Sequence, residues 1–541
     1  MNIEKIVVKN YKQFKDLDIT FNKNLNILIG NNGVGKSTVL ELIHLALTGT
    51  IRNRPIYYEL NPYLFNVHTT KQFLDDVEQY GLGRLEVVCP PEIIIEIYFT
   101  DTDDSDLNEL LGTECSQPGE HCGLTFRIKF SSKYEKEFIS YIEKEDVAFI
   151  PTEYYEVEWV TFAGKNITPR NIPIKSQLID SSGANMNGVP KKYFLGLVND
   201  TLDEKQRANL SVLYRSYKEK FAQNKDISNL NMELNGKKKD FLNDEREVAL
   251  SLDISNKTSW ETAINAYIDG IPFENIGMGD QNILKTIFAV TGRKPKQTII
   301  LIEEPENHLS FSNMRILLDK IQTIAEGQQI FISTHESYIL NKLQLNNLIL
   351  ISQNGTMKMK ELPQSTVQYF QKLPNYNTLR FILSKKVILV EGPADELIVS
   401  KAFLDIHNGK SPLDCGVDII SVNGLSFKRF LDIAMLIKIK TFVVTDNDGD
   451  YDKNITEKYK NYNADNIEIC ASSNNSLNTL EPQFLHEASN YEKLKKVLGK
   501  NTSIEDLNTY MTNNKADWAL KVYLDEKQQF NYPEYILNAV R

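Results

Sequence analysis

The hydrophobic pattern at the start of the chain predicts strands that lead into a helix. Apolar residues dominate residues 5–8, 17–21 and 25–29, and the last of these runs stops at Gly30. After a short glycine-rich stretch, apolar residues recur at helical spacing over residues 39–47. A change in period from two residues to 3.6 marks the transition from strand to helix. The chain is therefore expected to begin with strands, a glycine loop and a helix.

The same pattern divides the rest of the chain into segments. Further strands are predicted at residues 93–99, 124–130, 149–150, 298–302, 329–333, 387–390 and 441–445. Between residues 199 and 252 the sequence has a single glycine, a higher charge and apolar residues at helical spacing, which predicts a helical insertion. The predicted divisions are 1–198 and 256–375 for two parts of one α/β domain, 199–255 for the insertion, and 383–541 for a second α/β domain.

Composition places the chain among folded proteins and narrows its setting. It has 541 residues, of which 41% are hydrophobic, enough to bury several cores. No stretch reaches about 18 uninterrupted apolar residues, and five scattered cysteines predict no disulfide framework. We therefore expect a cytoplasmic protein with no membrane partner. The net charge of −11 argues against a simple cationic nucleic-acid coat but leaves a local basic groove open.

The glycine loop after the third strand fits the phosphate-binding pattern G-x-x-x-x-G-K-[ST] without a mismatch. Its residues are Gly30, Asn31, Asn32, Gly33, Val34, Gly35, Lys36 and Ser37. Glycines let backbone N–H groups turn toward phosphate oxygens, and the following helix points its positive end at them. Lys36 would reach the β- and γ-phosphates, and the Ser37 hydroxyl would bind Mg²⁺. The loop therefore predicts a nucleotide site.

A second acidic element supports the same prediction. Residues 298–302 form a continuous apolar run, typical of a strand buried on both faces, and Glu303 and Glu304 follow at its end. Carboxylates in this position can hold Mg²⁺ through water and activate the water that attacks the γ-phosphate. About thirty residues later another buried strand ends before His335. This placement predicts that His335 senses the γ-phosphate.

These motifs resemble the ABC-type ATPase family, in particular its branch with short signature motifs. The resemblance implies a Walker A loop over residues 30–38, including Thr38, a Walker B strand over 299–304 and a D-loop over 306–309. Glu304 would be its catalytic carboxylate and His335 its switch histidine, while Glu303 stands where aspartate is usual. Residues 275–282 look like the signature motif, which would place Gly277, Gly279 and Gln281 on ATP held by a second ATPase domain.

The C-terminal segment carries a separate acidic cluster. Glu391 follows the strand at 387–390, and Asp446, Asp448 and Asp450 follow the strand at 441–445. In an extended chain, residues two apart face the same way, so Asp446 and Asp448 can converge on one hard cation with Glu391 opposite. Carboxylates this close repel one another unless a divalent ion neutralises them. The cluster therefore predicts a metal site.

Two simpler explanations could account for the acidic cluster. An EF-hand loop fits Asp446, Asp448 and Asp450 at its positions 1, 3 and 5. However, its position 6 needs glycine and is Tyr451, and a strand precedes the loop where a helix would be needed. The other explanation is a solvated acidic loop. We favour the metal site over both.

The acidic pattern resembles a TOPRIM domain, with Glu-Gly after the first strand and Asp-x-Asp after a later one. An ABC-type ATPase followed directly by TOPRIM is similar to the OLD (overcoming lysogenization defect) family of nucleases. The resemblance extends to residues 421–427, 478–482 and 515–519. It implies metal binding by Glu391, Asp395, Asp446, Asp448 and Glu481, with Asp450 as a further candidate, and transition-state stabilisation by Lys515.

The resemblance implies an α/β chain with two linked activities. We expect a divalent-metal-dependent DNA endonuclease that nicks or cuts both strands, is regulated by ATP, and acts in bacterial anti-phage defence. ATP and Mg²⁺ are the expected cofactors, with Mn²⁺ as an alternative in the TOPRIM site. Expected partners are DNA, a second copy or higher homo-oligomer, and either a UvrD-like helicase of a Gabija system or a retron reverse transcriptase with its RNA–DNA hybrid.

Two other functions would use parts of the same sequence. The main alternative is a non-cleaving, SMC-like clamp of DNA repair, which would not need the Asp-x-Asp motif. A TOPRIM topoisomerase or primase would need a further domain, and fewer than 100 residues follow Asp450. The residues do not indicate whether ATP activates or inhibits cleavage.

Overall fold

The computed structural model describes most of the chain. The described residues are 1–52, 54–80, 89–100, 109–142, 149–180, 202–241, 247–252, 260, 267–291, 298–325, 327–352, 355–359, 362–372, 377–424 and 426–541. The predicted division points near residues 198, 255 and 375 lie outside these residues, as does position 425 of the segment 421–427.

Strands and helices alternate through both halves of the described chain. The strands are β1 (Ile3–Tyr11), β2 (Phe14–Thr20), β3 (Leu25–Ile29), β4 (Thr50–Ile51), β5 (Arg54–Pro55), β6 (Ile93–Phe99), β7 (Leu111–Gly112), β8 (His121–Phe130), β9 (Tyr155–Thr161), β10 (Lys175–Asp180), β11 (Tyr267–Ile268), β12 (Ile271–Pro272), β13 (Thr298–Glu303), β14 (Ile330–Ser333), β15 (Leu348–Ser352), β16 (Gly355–Lys358), β17 (Lys386–Val390), β18 (Val417–Ser421), β19 (Lys440–Val444) and β20 (Ile467–Cys470). Most of the strands predicted from the hydrophobic pattern are therefore present in the structure.

The helices complete the order of elements. They are α1 (Lys36–Thr48), α2 (Ile56–Glu59), α3 (Val67–Tyr80), α4 (Glu135–Ile142), α5 (Glu204–Ala222), α6 (Lys225–Phe241), α7 (Met278–Thr291), α8 (Phe311–Ala325), α9 (Ser337–Lys342), α10 (Gln364–Lys372), α11 (Asn377–Leu383), α12 (Pro393–Ile406), α13 (Phe427–Ile437), α14 (Leu480–His486), α15 (Asn490–Leu498), α16 (Ile504–Asn513), α17 (Lys515–Leu524) and α18 (Glu534–Val540). Within the described residues, no helix combines the length and apolar composition that a membrane span requires.

The chain folds into two compact units. The first contains Met1–Asn26 and Gly35–Thr334, and the second contains Ile27–Val34 and His335–Arg541. The division therefore passes through the glycine loop and just before His335, so that each unit contains part of the predicted nucleotide motifs.

The longer strands of the first unit form two groups, apart from the short pairs β4-β5 and β11-β12. An antiparallel sheet has the order β2-β1-β6-β8, and β7 and β9 both pair with β8. The second group is parallel, with β13 between β10 and β14. All of β13 except its last residue is buried, which explains its unbroken apolar sequence. Helix α1 packs against these three parallel strands.

Two helices, α5 and α6, occupy the segment for which a helical insertion was predicted. Asp203 begins α5 with a capping box, because its side chain accepts from Gln206 N and the Gln206 side chain accepts from Asp203 N. Large apolar side chains on these helices remain exposed, among them Val212, Tyr217 and Met232. An exposed apolar surface of this kind is typical of a contact with another protein.

The second unit contains a four-stranded parallel sheet in the order β18-β17-β19-β20. Val390 at the end of β17 lies opposite Ser421 of β18 and Val444 of β19. Helices α12, α14, α15, α16, α17 and α18 contribute to the hydrophobic core beside this sheet. In parallel sheets, ligands bind outside the carboxyl ends of the strands, which here is the edge beyond Val390 and Val444.

One strand prediction was wrong. Residues 149–150 do not form a strand, and the chain enters β9 only at Tyr155, after a turn of 3₁₀ helix at Thr152–Tyr154. Pro151 explains the difference, because proline has no N–H to donate to a sheet and fixes its own φ angle.

His44 on α1 provides a test of this packing. The ring is 9% exposed, its Nδ1 lies 2.9 Å from Ser176 Oγ of β10, and its Nε2 lies 3.3 Å from Thr50 Oγ1. Burial lowers its pKa to about 4, although the charge of Glu41 opposes the shift. The folded protein therefore contains neutral His44.

We expect the unfolding free energy to fall by about 1–3 kcal/mol as the pH drops from about 6.5 to about 4, because the unfolded chain then binds a proton that His44 excludes. In a His44→Gln variant, which has no titrating ring, this part of the acid destabilisation should disappear. Chemical unfolding at pH 7 and pH 4.5 would measure it. An unchanged pH dependence in the variant would contradict the assignment.

Candidate active site

The start of α1 supplies the first part of the nucleotide motif. Gly35 precedes the helix with a φ of 105°, in the left-handed region that favours glycine. A Cβ at this position would lie 2.1 Å from Gln13 Nε2 and 2.3 Å from Phe14 Cζ. The close approach of these side chains therefore excludes other residues. The positive end of α1 faces the position that phosphates occupy in such loops.

Lys36 lies beside two carboxylates of the first unit. It is 5% exposed, and burial lowers its pKa while the charges of Glu304 and Glu306 oppose that shift. Glu306 was predicted only as part of the D-loop. The signal that could have revealed its role is the Glu-Glu-Pro-Glu spacing, in which the third glutamate follows two residues after the second.

Hydrogen bonds hold both carboxylates in place. Glu304 has a φ of 44°, its N–H donates to Ser333 O at 2.9 Å, and its Oε2 accepts from Asn307 Nδ2 at 2.8 Å. Glu306 Oε1 accepts from Thr334 Oγ1 at 2.7 Å. The adjacent ends of β13 and β14 thus orient acidic groups around one lysine. Glu303 is the last residue of β13 and is half-buried.

The predicted signature segment contacts the residues that follow Walker B. Gly279 lies in the first turn of α7, where a Cβ would be 2.4 Å from His308 O. Asn282 Nδ2 donates to Asn307 O at 3.1 Å. Gln281 is buried and donates to Ile276 O at 3.0 Å, so it folds back on its own segment. Gly277 is exposed.

The second unit contains the remaining nucleotide motifs. Residues 30–34 follow β3, whose five residues are all buried and which pairs with β15 in parallel. A Cβ at Gly30 would lie 2.4 Å from Ile351 O, so this position has no room for a side chain. His335 is the first residue of the longer segment of this unit and is half-buried.

The acidic cluster lies at the carboxyl edge of the four-stranded sheet. Glu391 follows β17, and Asp446 follows β19 by two residues. Glu391 Oε1 accepts from Thr445 Oγ1 at 2.5 Å and from Asp446 N at 3.0 Å, which ties the ends of the two strands together. Asp395 lies in the first turn of α12 and accepts from Gly392 N at 3.1 Å. Thr445 was not among the predicted site residues, and only the strand register reveals it.

Burial and mutual repulsion perturb two of these carboxyl groups. Burial, followed by the charges of Glu391 and Glu481, raises the pKa of Asp395 to about 7. Burial, followed by Glu391, Asp395 and Glu481, raises the pKa of Asp446 to about 8, and Lys515 lowers it in part. The charges of Glu391 and Glu481 therefore act on both aspartates and disfavour their ionisation.

Lys515 places a positive charge beside the cluster. Among the described residues, it is the cation that lowers the pKa of Asp446. Its Nζ lies 3.3 Å from Glu481 Oε1, and Glu481 is 1% exposed while the lysine side chain is 54% exposed. Glu481 Oε2 also accepts from Thr479 Oγ1 at 3.0 Å. Burial would lower the pKa of Lys515, but the charges of Glu481, Asp446 and Asp395 raise it. The lysine is therefore a charged group at the border between the cluster and solvent.

The structure does not place Asp448 and Asp450 as an extended chain would. In an extended chain, both side chains would face the same way as Asp446. Strand β19 ends at Val444, and Asp448 is exposed with a φ of 48°, so it does not repeat the direction of Asp446. Asp450 Oδ1 accepts from Lys453 N at 3.1 Å and caps the next helical turn. The structure brings together Glu391, Asp395, Asp446 and Glu481 but does not bring Asp450 to them.

The cluster offers oxygen ligands of the kind that Mg²⁺ and Mn²⁺ prefer. As the side chains stand, no three acidic, histidine or cysteine groups among the described residues already enclose a metal position. The donor set nevertheless fits a divalent cation. The Asp446 carboxyl group is largely buried, yet it accepts no hydrogen bond from any described residue, so its oxygens are available to a cation. A bound cation would neutralise the carboxylate charges that add to burial in raising these two pKa values.

Comparison with known families identifies both parts of the chain. Residues 1–340 match the family model described as an AAA ATPase domain. The chain belongs to this ATPase family. Residues 382–448 match the model described as an overcoming lysogenization defect protein-like TOPRIM domain. The predicted fold class and the resemblance to OLD-type ATPase–TOPRIM chains are confirmed.

Curated relatives match the ATPase–TOPRIM chain over segments of different length. The DNA replication and repair protein RecF of Acetivibrio thermocellus is 43% identical over 49 residues, 9% of this chain and 13% of that protein. RecF of Lactococcus lactis subsp. cremoris is 45% identical over 53 residues, 10% of this chain and 15% of that protein. An ATP/GTP phosphatase of Helicobacter pylori is 23% identical over 368 residues, 63% of this chain and 87% of that protein. The matches to RecF thus span only a small part of those proteins.

Solved structures show weaker likeness. A structure of the SmcHead bound to the C-winged helix domain of ScpA covers 67% of this chain and 99% of its own, at 13% identity and a TM-score of 0.34. The C-terminal region of the Xanthomonas campestris pv. campestris OLD protein covers 29% of this chain and 92% of its own, at 20% identity and a TM-score of 0.22. At these scores the likenesses carry no argument. The two family matches together show an ATPase domain followed by an OLD-type TOPRIM domain.

Proposed function

We propose that this chain is a divalent-metal-dependent DNA endonuclease regulated by ATP at its ATPase domain. The observation that carries the proposal is the group of four carboxyl residues with Lys515 at the carboxyl edge of the TOPRIM sheet. Clustered carboxylates that repel one another suit divalent cations, which supply a water nucleophile and neutralise phosphate charge.

The residues of the cluster have distinct roles in this proposal. Glu391, Asp395, Asp446 and Glu481 would hold Mg²⁺ or Mn²⁺, and Asp448, on the exposed side, would contribute to a second ion. Lys515 pairs with Glu481, and a cation that neutralises Glu481 would free the ammonium group to bind a phosphate oxygen. A positive group at this position stabilises the charge that develops as the phosphodiester is attacked.

The ATPase residues would bind and sense the nucleotide. Residues 30–38 would bind the phosphates, Ser37 and Glu303 would hold Mg²⁺, Glu304 would orient the attacking water, and His335 would contact the γ-phosphate. The signature residues Gly277, Gly279 and Gln281 would act on ATP of another copy, so we propose a homodimer or larger assembly. The exposed apolar face of α5 and α6 is the candidate contact.

The remaining expectations form part of the same proposal. DNA is the proposed substrate, and bacterial anti-phage defence is the proposed setting, with a UvrD-like helicase or a retron reverse transcriptase as partner. The resemblance to OLD-type nucleases supports both. The TOPRIM domain is proposed to span 383–541, with ATPase parts at 1–198 and 256–375 around the insertion at 199–255.

The test is cleavage of supercoiled plasmid by the purified full chain. With Mg²⁺ or Mn²⁺ we expect nicked or linear DNA, and none in EDTA, because the carboxylates need a cation to act on a phosphodiester. Asp448→Ala should lower the rate by about 10²-fold or more. Lys36→Ala should leave the cut chemistry intact but remove any effect of added ATP on the rate.

The same plasmid-cleavage experiment distinguishes the alternative function. A non-cleaving DNA-repair clamp would bind and bridge plasmid with ATP, without cutting it in any metal. If the wild type never cuts under any combination of metal, nucleotide and linear or supercoiled DNA, the nuclease proposal fails.

A further inference from the structure

Tyr459 has a buried hydroxyl group that the proposed chemistry does not use. The residue is 5% exposed, and its hydroxyl oxygen makes no hydrogen bond with any described residue. A buried donor without an acceptor is unfavourable, and such groups in native proteins call for an explanation such as a catalytic role, a water or an ion.

The local backbone holds Tyr459 next to the acidic cluster. Asp452–Glu457 is a π-helix, a rare form that is frequent at functional sites, and Tyr459 follows it. The segment is anchored because Asn454 Nδ2 donates to Asn447 O at 3.0 Å, and Asn447 in turn donates to Ser472 O at 2.7 Å. Tyr459 is therefore held in a fixed position relative to the loop that contains Asp446 and Asp448.

The neighbour of the Tyr459 hydroxyl is Thr445. Thr445 is close enough to the Tyr459 hydroxyl to act on its pKa, which it lowers, yet the two residues form no hydrogen bond. Thr445 Oγ1 already donates its proton to Glu391 Oε1 at 2.5 Å, which leaves its lone pairs open as acceptors. Burial, followed by the charge of Glu391, raises the pKa of Tyr459, so the phenol keeps its proton. The Tyr459 hydroxyl can therefore act as a donor to the Thr445 hydroxyl, which itself donates to the Glu391 carboxylate.

We propose that Tyr459 is a positioning residue, whose unsatisfied hydroxyl completes a hydrogen bond to Thr445 when a divalent cation binds and so holds Glu391 in the orientation that binds the cation. The inference rests on the proposed function, since it assigns Glu391 to the metal. Carboxylate ligands of metals are themselves usually oriented by hydrogen bonds from neighbouring residues, and loss of such a partner weakens metal affinity by about 10- to 100-fold.

The test compares two tyrosines three residues apart in the same full-length, nucleotide-free chain. Tyr459→Phe removes the unpartnered hydroxyl, whereas the control Tyr462→Phe removes one that donates to Asp432 Oδ1 at 2.8 Å. Calorimetric titration with Mg²⁺ and with Mn²⁺ gives the dissociation constants, and thermal unfolding in EDTA gives the stability without metal.

We expect Tyr459→Phe to raise the dissociation constant about 10-fold while its melting temperature in EDTA stays the same or rises, because an unsatisfied donor has been removed. Tyr462→Phe should do the reverse, with lower stability and unchanged affinity. Thr445→Val should weaken binding as Tyr459→Phe does, and the double variant should weaken it no further, since the two hydroxyls act in one chain.

Three results would overturn the inference. Equal metal affinity in Tyr459→Phe and the wild type would refute it while leaving the metal site intact. A loss of melting temperature in EDTA together with the loss of affinity would mean that Tyr459 is only a structural residue. If the wild type itself binds neither cation, the proposed metal site fails, and this inference with it.

Discussion

Replacing Asp446 by asparagine should abolish DNA cleavage, with a loss of at least about 10²- to 10³-fold in rate. Asp446 has charges from Glu391, Asp395 and Glu481 around it and no hydrogen bond from a described residue, so its oxygens remain available to a cation. An amide of the same size cannot supply the negative charge. Single-turnover cleavage of plasmid in saturating Mg²⁺ and Mn²⁺ measures the loss.

The variant should be folded, which separates chemistry from stability. Because burial and neighbouring carboxylates already disfavour the ionised form of Asp446, an amide in its place should leave the melting temperature in EDTA unchanged or higher. The matched control is Asp450→Asn, four residues away, because the Asp450 carboxylate only accepts from Lys453 N and an amide oxygen can accept the same bond. Its rate should stay within about threefold of wild type. Equal losses in the two variants would refute the assignment of the site to Asp446.

Replacing Gly35 by alanine should remove nucleotide binding and destabilise the first unit. The added Cβ would meet Gln13 Nε2 at 2.1 Å and Phe14 Cζ at 2.3 Å, at a φ of 105° that alanine tolerates poorly. Overpacking and backbone strain together should cost about 2–5 kcal/mol. Thermal unfolding and fluorescence titration with a labelled ATP analogue would measure both effects.

Gly33→Ala is the control for the backbone angle alone. Gly33 has a φ of 78°, and an added Cβ would meet no atom of the described residues within 4 Å. This variant should cost only about 1–2 kcal/mol. If the two alanine variants lose the same stability and affinity, the contacts of Gly35 with Gln13 and Phe14 do not matter and the argument is wrong.

The hydrophobic pattern of the sequence predicted the strands that position the acidic cluster. Continuous apolar runs located β17 and β19, and parallel pairing places Val390 opposite Val444, so the residues that follow, Glu391 and Asp446, share one edge. Local periodicity also located α1 and β13. These predictions succeeded because each depends on neighbouring residues and on burial of both strand faces.

Other parts of the site could not be read from local pattern. The extended-chain rule aligned Asp446 with Asp448, but the strand ends at Val444 and Asp448 takes a left-handed angle. Thr445 and Tyr459 went unnoticed because a threonine in a strand and a tyrosine in a helical segment are ordinary residues there. Thr445 donates to Glu391 across 54 residues of chain, and the charge of Glu391 acts on Tyr459 from a similarly remote position in the sequence.

By itself, the sequence determined the two motifs on which the proposed chemistries depend, since the phosphate-binding loop and the acidic strand ends need particular residues at short spacings. The tertiary structure alone decided which carboxylates meet. It grouped Glu391, Asp395, Asp446 and Glu481 with Lys515, set Asp450 apart as a helical cap, and put Glu306 beside Lys36. The physical reason is that charge interactions depend on distance and burial in space, and residues far apart in the chain acquire these only when sheets and helices pack.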